Sequence, residues 1–84
     1  MWFVYIIECK DGSLYTGSTN NLEERFKKHK EGKGAKYTRS HIPRKIVFSK
    51  KYRSKITAFK KEREIKNLVR SEKLEFIKSH SQPG

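Results

Sequence analysis

One stretch of the chain is apolar without interruption, Trp2-Phe3-Val4-Tyr5-Ile6-Ile7, and it constrains the fold more than any other feature. Its aromatic and β-branched residues suit a strand, and the lack of polar alternation means that both faces of that strand are buried. The run is far shorter than the roughly 20 residues that cross a bilayer, so it predicts a central sheet strand and no membrane span. Elsewhere apolar residues are sparse: 33% of the 84 residues are hydrophobic and 36% are charged, so the core is small and must be assembled around this strand. The 12% aromatic content offsets that scarcity, because each ring buries more area than an aliphatic side chain. The length predicts a single domain over residues 1–84, with a core spanning about 2–78 and a frayed polar tail at 79–84.

The remaining elements follow from turn and cap signals. Lys10-Asp11-Gly12-Ser13 contains Asp-Gly, whose tolerance of positive φ predicts a hairpin, and Leu14-Tyr15-Thr16-Gly17 reads as the returning strand. A helix is expected from near Asn20, with Glu23 in capping-box spacing, to Gly32; acids lie in its first turn and bases in its last. Residues 32–39 read as a basic loop. Arg44 to Tyr52 is expected to form a third strand, Ser54 to cap a helix from Lys55 to about Val69, and Ser71 to cap a short last helix. The order ββαβαα predicts an α+β fold: a small three-stranded antiparallel sheet flanked by helices.

Charge narrows the class of partner. Residues 25–55 hold thirteen bases and one acid, Glu31, and this third of the chain accounts for a net charge of +12. A field so concentrated attracts polyanions and releases their counterions, which points to nucleic acid. An anionic membrane is disfavoured because Gly, Pro and Tyr break the basic stretch and no strongly amphipathic helix carries it. Cys9 is the only cysteine, which excludes an internal disulfide framework and a cysteine-based zinc site. With no secretory signal in view, a soluble protein of a reducing compartment, the cytoplasm, is expected, without haem or nucleotide cofactor.

Several polar residues sit where apolar ones are expected. Ala58, Ile65 and Val69 fall on one narrow arc of a helix, and Glu62 falls inside it. A carboxylate on such a stripe is either paired with a neighbouring Lys or Arg at its edge, or serves as a metal ligand or buried acid in a cleft. Arg25 and His29 lie at i and i+4 beside the apolar positions Leu22 and Phe26. Such a pair is either solvated, or supplies a bidentate phosphate contact and a proton relay. Tyr5 and Tyr15 in the hairpin either pack in the core with surface hydroxyls or act as general acid or base, which needs positive charge nearby to lower their pKa.

Together these residues resemble the GIY-YIG nuclease superfamily. Tyr5 stands at the tyrosine of the first signature, Tyr15-Thr16-Gly17 looks like the second, Arg25 matches the family's arginine with His29 four residues on, and Glu62 in Ala58-Phe59-Lys60-Lys61-Glu62 matches its metal-binding glutamate. The stretches 12–17 and 32–39 are similar to the small, stand-alone bacterial branch. Phe3 replaces the glycine of the first signature and Thr16 an aliphatic residue of the second.

The resemblance implies an endonuclease hydrolysing DNA phosphodiesters with low sequence specificity, in repair or recombination, through one Mg²⁺ (or Mn²⁺) ion held by Glu62. Arg25 then shares the charge that builds on the scissile phosphate, Tyr5 or Tyr15 deprotonates the attacking water, His29 lies near the nucleophile, and Gly17 lets the backbone turn closely beneath the site. Lys33, Lys36 and Arg39, with Tyr37, are expected to grip the nucleic-acid backbone and stack on a base, DNA being favoured over RNA. A separate protein partner supplies targeting in this reading. The alternative is a catalytically weak or inactive nucleic-acid-binding module on a nuclease fold.

Overall fold

The computed structural model describes residues 1–34 and 36–80, with backbone only at Tyr37 and Thr38. In chain order the elements are β1 (Trp2–Cys9), β2 (Leu14–Thr19), α1 (Leu22–Lys30), α2 (Lys36–Ser40), β3 (Pro43–Tyr52), α3 (Lys55–Lys66) and α4 (Arg70–His80). The strands form one antiparallel sheet in the order β2-β1-β3, so the apolar run occupies the middle. Val4, Tyr5, Ile6 and Ile7 are each at most 1% exposed, as a strand covered on both faces requires.

Side-chain alternation along β1 divides the core in two. Val4 and Ile6 pack with Phe48, Ala58 and Ile65 and with Phe76 and Ile77 of α4, so α3 and α4 cover one face. Tyr5, Ile7 and Cys9 point the other way, against Tyr15, Leu22, Phe26 and Ile46, so α1 covers the second. The α+β class and the order of the sheet and main helices agree with the sequence pattern, with α2 as one added turn of helix. No helix among the described residues is long and apolar enough to cross a membrane.

Local chemistry moves several boundaries. The cap of α1 is Asn21 and not Asn20: its side chain accepts from the Glu24 amide at 3.1 Å and donates to the Glu24 carboxylate at 3.3 Å. Thr19 Oγ1 accepts from the Asn21 amide at 3.1 Å and fixes that choice. In the hairpin only Gly12 has positive φ, +86°, while Asp11 instead accepts the Ser13 amide at 3.0 Å in an Asx-turn. Helix α2, Lys36–Ser40, takes up the second half of the basic loop expected at 32–39. Helix α3 ends at Lys66 and not near Val69, with Asn67 as its C-cap. Ser71 lies inside α4, which is capped by Glu72 reaching back to the Val69 amide at 3.0 Å. That helix runs on through Ser79 and His80, where fraying is expected; residues 81–84 lie outside the described residues.

Candidate nucleic-acid interface

Tyr5 of β1 and Gly17 of β2 are directly opposed in the sheet. A Cβ at Gly17 would sit 2.5 Å from the Tyr5 hydroxyl oxygen and 2.7 Å from its Cζ, so this position takes glycine because the phenol crosses over it, not because of its φ. The neighbouring residue, Ser18, points to the α3 face and donates a hydrogen bond to Glu62 Oε1. The edge of β2 is therefore where side chains from both faces of the sheet meet, and a cavity of about 510 Å³ opens there. Tyr5, Tyr15, Gly17, Arg25 and Glu62 all line it.

Of the residues singled out in the sequence, His29 stands apart. It is fully buried and reaches the cavity through its neighbours: its Nε2 lies 2.9 Å from the Tyr5 hydroxyl in a hydrogen bond, and its ring lies 5.1 Å from that of Tyr15. Burial and then the Arg25 guanidinium lower its pKa from 6.5 to about 4, which keeps the imidazole neutral. For Tyr5, burial pushes the phenol up to about 12, outweighing the hydrogen bond and charge of Arg25 that lower it. Tyr5 is thus a protonated hydroxyl bonded to a neutral imidazole at neutral pH. Gly34 closes the other side of His29, since a Cβ there would lie 2.7 Å from the ring Cγ.

Glu62 is only 18% exposed and its carboxylate is already engaged: Lys66 Nζ lies 2.7 Å from Oε2, and Ser18 bonds Oε1. The carboxylate thus pairs with a neighbouring Lys, inside the cleft and not at the stripe's edge. Among the described residues no group of three His, Cys, Asp or Glu side chains comes together to hold a metal. Lys33, Lys36 and Arg39 are exposed and do not line the cavity; Arg39 Nε donates to the Gly32 carbonyl at 3.3 Å. The side chain of Tyr37, expected to stack on a base, lies outside the described residues.

The cations that do line the cavity are Arg25, Arg63 and Lys66, set against the single carboxylate of Glu62. Arg25 Nε is buried and has no hydrogen-bond partner among the described residues. Arg63, Lys66, Ser18, Phe59 and Asn67 are lining residues that the sequence reading does not pick out. Spacing holds a partial signal, because Phe59, Arg63 and Lys66 flank Glu62 within one helical turn either side. In a chain with 21 Lys and Arg, that signal does not separate two of them from the rest.

Residues 1–75 match the GIY-YIG catalytic domain. The chain belongs to the GIY-YIG superfamily. Within it, the chain is 50% identical over 80 residues to a UPF0213 protein of Oceanobacillus iheyensis, covering 95% of this chain and 93% of that one. It is 52% identical over 81 residues to a UPF0213 protein of Clostridium perfringens, covering 96% and 87%. The solution structure of a UPF0213 protein from Bacillus halodurans superimposes with a TM-score of 0.65 at 45% identity, over 99% of this chain and 89% of that one. Measured against the GIY-YIG pattern, both departures can be located. Phe3 is half-buried in β1, with the Lys51 ammonium 5.8 Å from its ring. Thr16 is 3% exposed, and its hydroxyl has no partner among the described residues, so the family's aliphatic side chain would suit this GIY-YIG core better.

Proposed function

We propose that the protein binds nucleic acid, DNA ahead of RNA, by accepting backbone phosphate in the cavity at the β2 edge, and that it hydrolyses the bound strand weakly or not at all. The observation that supports this most is a cavity whose cations, Arg25, Arg63 and Lys66, outnumber its single carboxylate. A phosphate bound by the Arg25 guanidinium makes charge-assisted hydrogen bonds. Lys66 answers the charge of Glu62, which leaves Arg25 and Arg63 for an anion. The net charge of +12 supplies long-range attraction. In fluorescence anisotropy with a labelled DNA oligonucleotide in EDTA, binding is expected to persist without divalent metal and to weaken steeply as salt rises. Arg25→Ala is expected to lower affinity at low salt and to reduce the slope of log K on log salt by about 1. Binding indifferent to salt would overturn the reading.

One set of contacts favours a second reading, metal-dependent phosphodiester hydrolysis: Tyr15, Arg25 and Glu62 line the same cavity. The donor chemistry fits a single Mg²⁺ in type, since this ion accepts one carboxylate with waters and phosphate oxygens making up the rest. Glu62 would hold it once Lys66 yields, and the bound ion supplies neutralisation of phosphate charge and a more acidic water. Arg25 would orient the phosphate, and Tyr5, protonated and tied to His29, would donate a hydrogen bond and not abstract a proton. Supercoiled DNA incubated with Mg²⁺ or Mn²⁺ separates the readings. Slow nicking that Glu62→Ala leaves unchanged is expected; metal-dependent nicking lost in Glu62→Ala and raised in Lys66→Ala would establish the second.

A further inference from the structure

Helix α3 carries a second, outward stripe. Ile56, Phe59, Lys60, Arg63, Glu64 and Asn67 recur at helical spacing and line a cavity of about 420 Å³ beside the first. Phe59, Arg63 and Asn67 belong to both, so the two cavities adjoin along a shared wall. Ile56 is 70% exposed and Phe59 46%, a large apolar area for a chain so poor in apolar residues. Isolated exposed apolar side chains are ordinary. Here, however, an aromatic ring adjoins the cationic cavity, with the Lys55 ammonium over it and with Lys60 and Arg63 outnumbering Glu64 along the same cavity. The ring is braced: Trp2 meets it edge to face at 5.6 Å and 85°, and the Lys55 ammonium lies 5.4 Å from its centroid.

We infer that this stripe is a base-stacking subsite, and that the protein therefore takes unpaired nucleotides in preference to duplex. The inference rests on the proposed phosphate binding in the adjoining cavity. An apolar ring flanked by cations matches a nucleotide, which offers a π-face and a phosphate within a few bonds of each other; an apolar peptide segment offers no anion for Arg63 and Lys60. In a duplex the base faces are covered by their neighbours, so only a single strand, a flap, a bulge or an end can lay a base on Phe59. The Lys55 side chain is long enough to leave the ring as a base arrives and remain beside the same strand's phosphates.

An abasic oligonucleotide carries the same phosphates without bases and isolates the stacking contribution. Anisotropy competition is run with three unlabelled probes: oligo-dT, its abasic counterpart and a hairpin duplex. The parent protein is expected to bind oligo-dT about 10-fold more tightly than either of the others, within the range that stacking of one base gives. In Phe59→Ala that preference disappears while the salt slope stays unchanged, and Phe59→Trp retains it. Trp2, the only tryptophan, adds a direct readout: its emission changes with oligo-dT and not with the abasic strand. Circular dichroism checks that the variants fold. Equal affinity for all three probes, untouched by Phe59→Ala, overturns the base subsite and leaves phosphate binding standing. Failure of every probe to bind in a salt-dependent way overturns the phosphate reading itself, and the subsite with it.

Discussion

At the scale of single residues, the most consequential pair is the His29 imidazole and the Tyr5 phenol, buried together and 2.9 Å apart. The fold lowers the imidazole pKa to about 4 from an ordinary 6.5. Between those values the unfolded chain takes up a proton that the folded chain refuses, so stability is lost as pH falls from about 6.5 to 4. The full loss below that window is on the order of 3 kcal/mol for a shift of this size. Urea midpoints measured from pH 7 to pH 4 are therefore expected to decline in the parent, and His29→Gln is expected to flatten the decline even where it lowers the midpoint at pH 7. An unchanged slope in that variant would mean that another group carries the acid sensitivity. Asp11 contributes in a separate, lower range, since hydrogen bonds from Ser13 and then His41 hold its carboxyl well below the usual values.

Among the elements, α3 carries the most. Its inner side supplies Ala58 and Ile65 to the core and its flank supplies Glu62, Arg63 and Lys66 to the cavity, so anything that loosens its first turn disturbs both. Ser54 caps that turn by accepting from the Ile56 and Thr57 amides at 3.1 and 3.3 Å. Ser54→Ala is expected to cost about 1 kcal/mol, read as a melting temperature lower by roughly 4–8 °C, with Ser54→Asp close to the parent. This cap was legible in the sequence because a single residue could serve. The cap of α1 was not, because Asn20–Glu23 and Asn21–Glu24 have identical spacing and only the Thr19 hydroxyl decides between them. The last helix misled for a related reason: Ser71 is a good cap residue, but Glu72 reaches the orphan Val69 amide and α4 starts two residues sooner. The central strand needed no such arbitration, since an unbroken apolar run in a chain this polar has one place to go. In the site, Tyr5, Tyr15, Gly17, Arg25 and Glu62 were legible through the family pattern. Arg63, Lys66 and Phe59 became distinct only once the helix was placed against the edge of β2.

For the whole molecule, the governing quantity is charge against size. A net charge of +12 is carried on a body about 28 Å across, so cations on opposite sides lie within one Debye length in 0.01 M salt, where it is roughly 30 Å, and are screened from each other in 0.1 M, where it is roughly 10 Å. At low ionic strength the folded state therefore carries a self-repulsion that the expanded chain relieves. The surface ion pairs, such as Lys28–Glu24 and Lys61–Glu64, are exposed and contribute little to set against it. Salt should then act with opposite signs on two observables. Raising NaCl from 20 to 300 mM is expected to increase the melting temperature by a few degrees by screening the repulsion, and to weaken nucleic-acid binding by orders of magnitude by removing the gain from counterion release. A short oligonucleotide at low salt should restore the melting temperature that added NaCl restores, because it binds the folded form and neutralises the same charges. A melting temperature that fell with NaCl would show that attractive pairs dominate the surface, and the charge proposed to draw in nucleic acid would then not be what limits the fold.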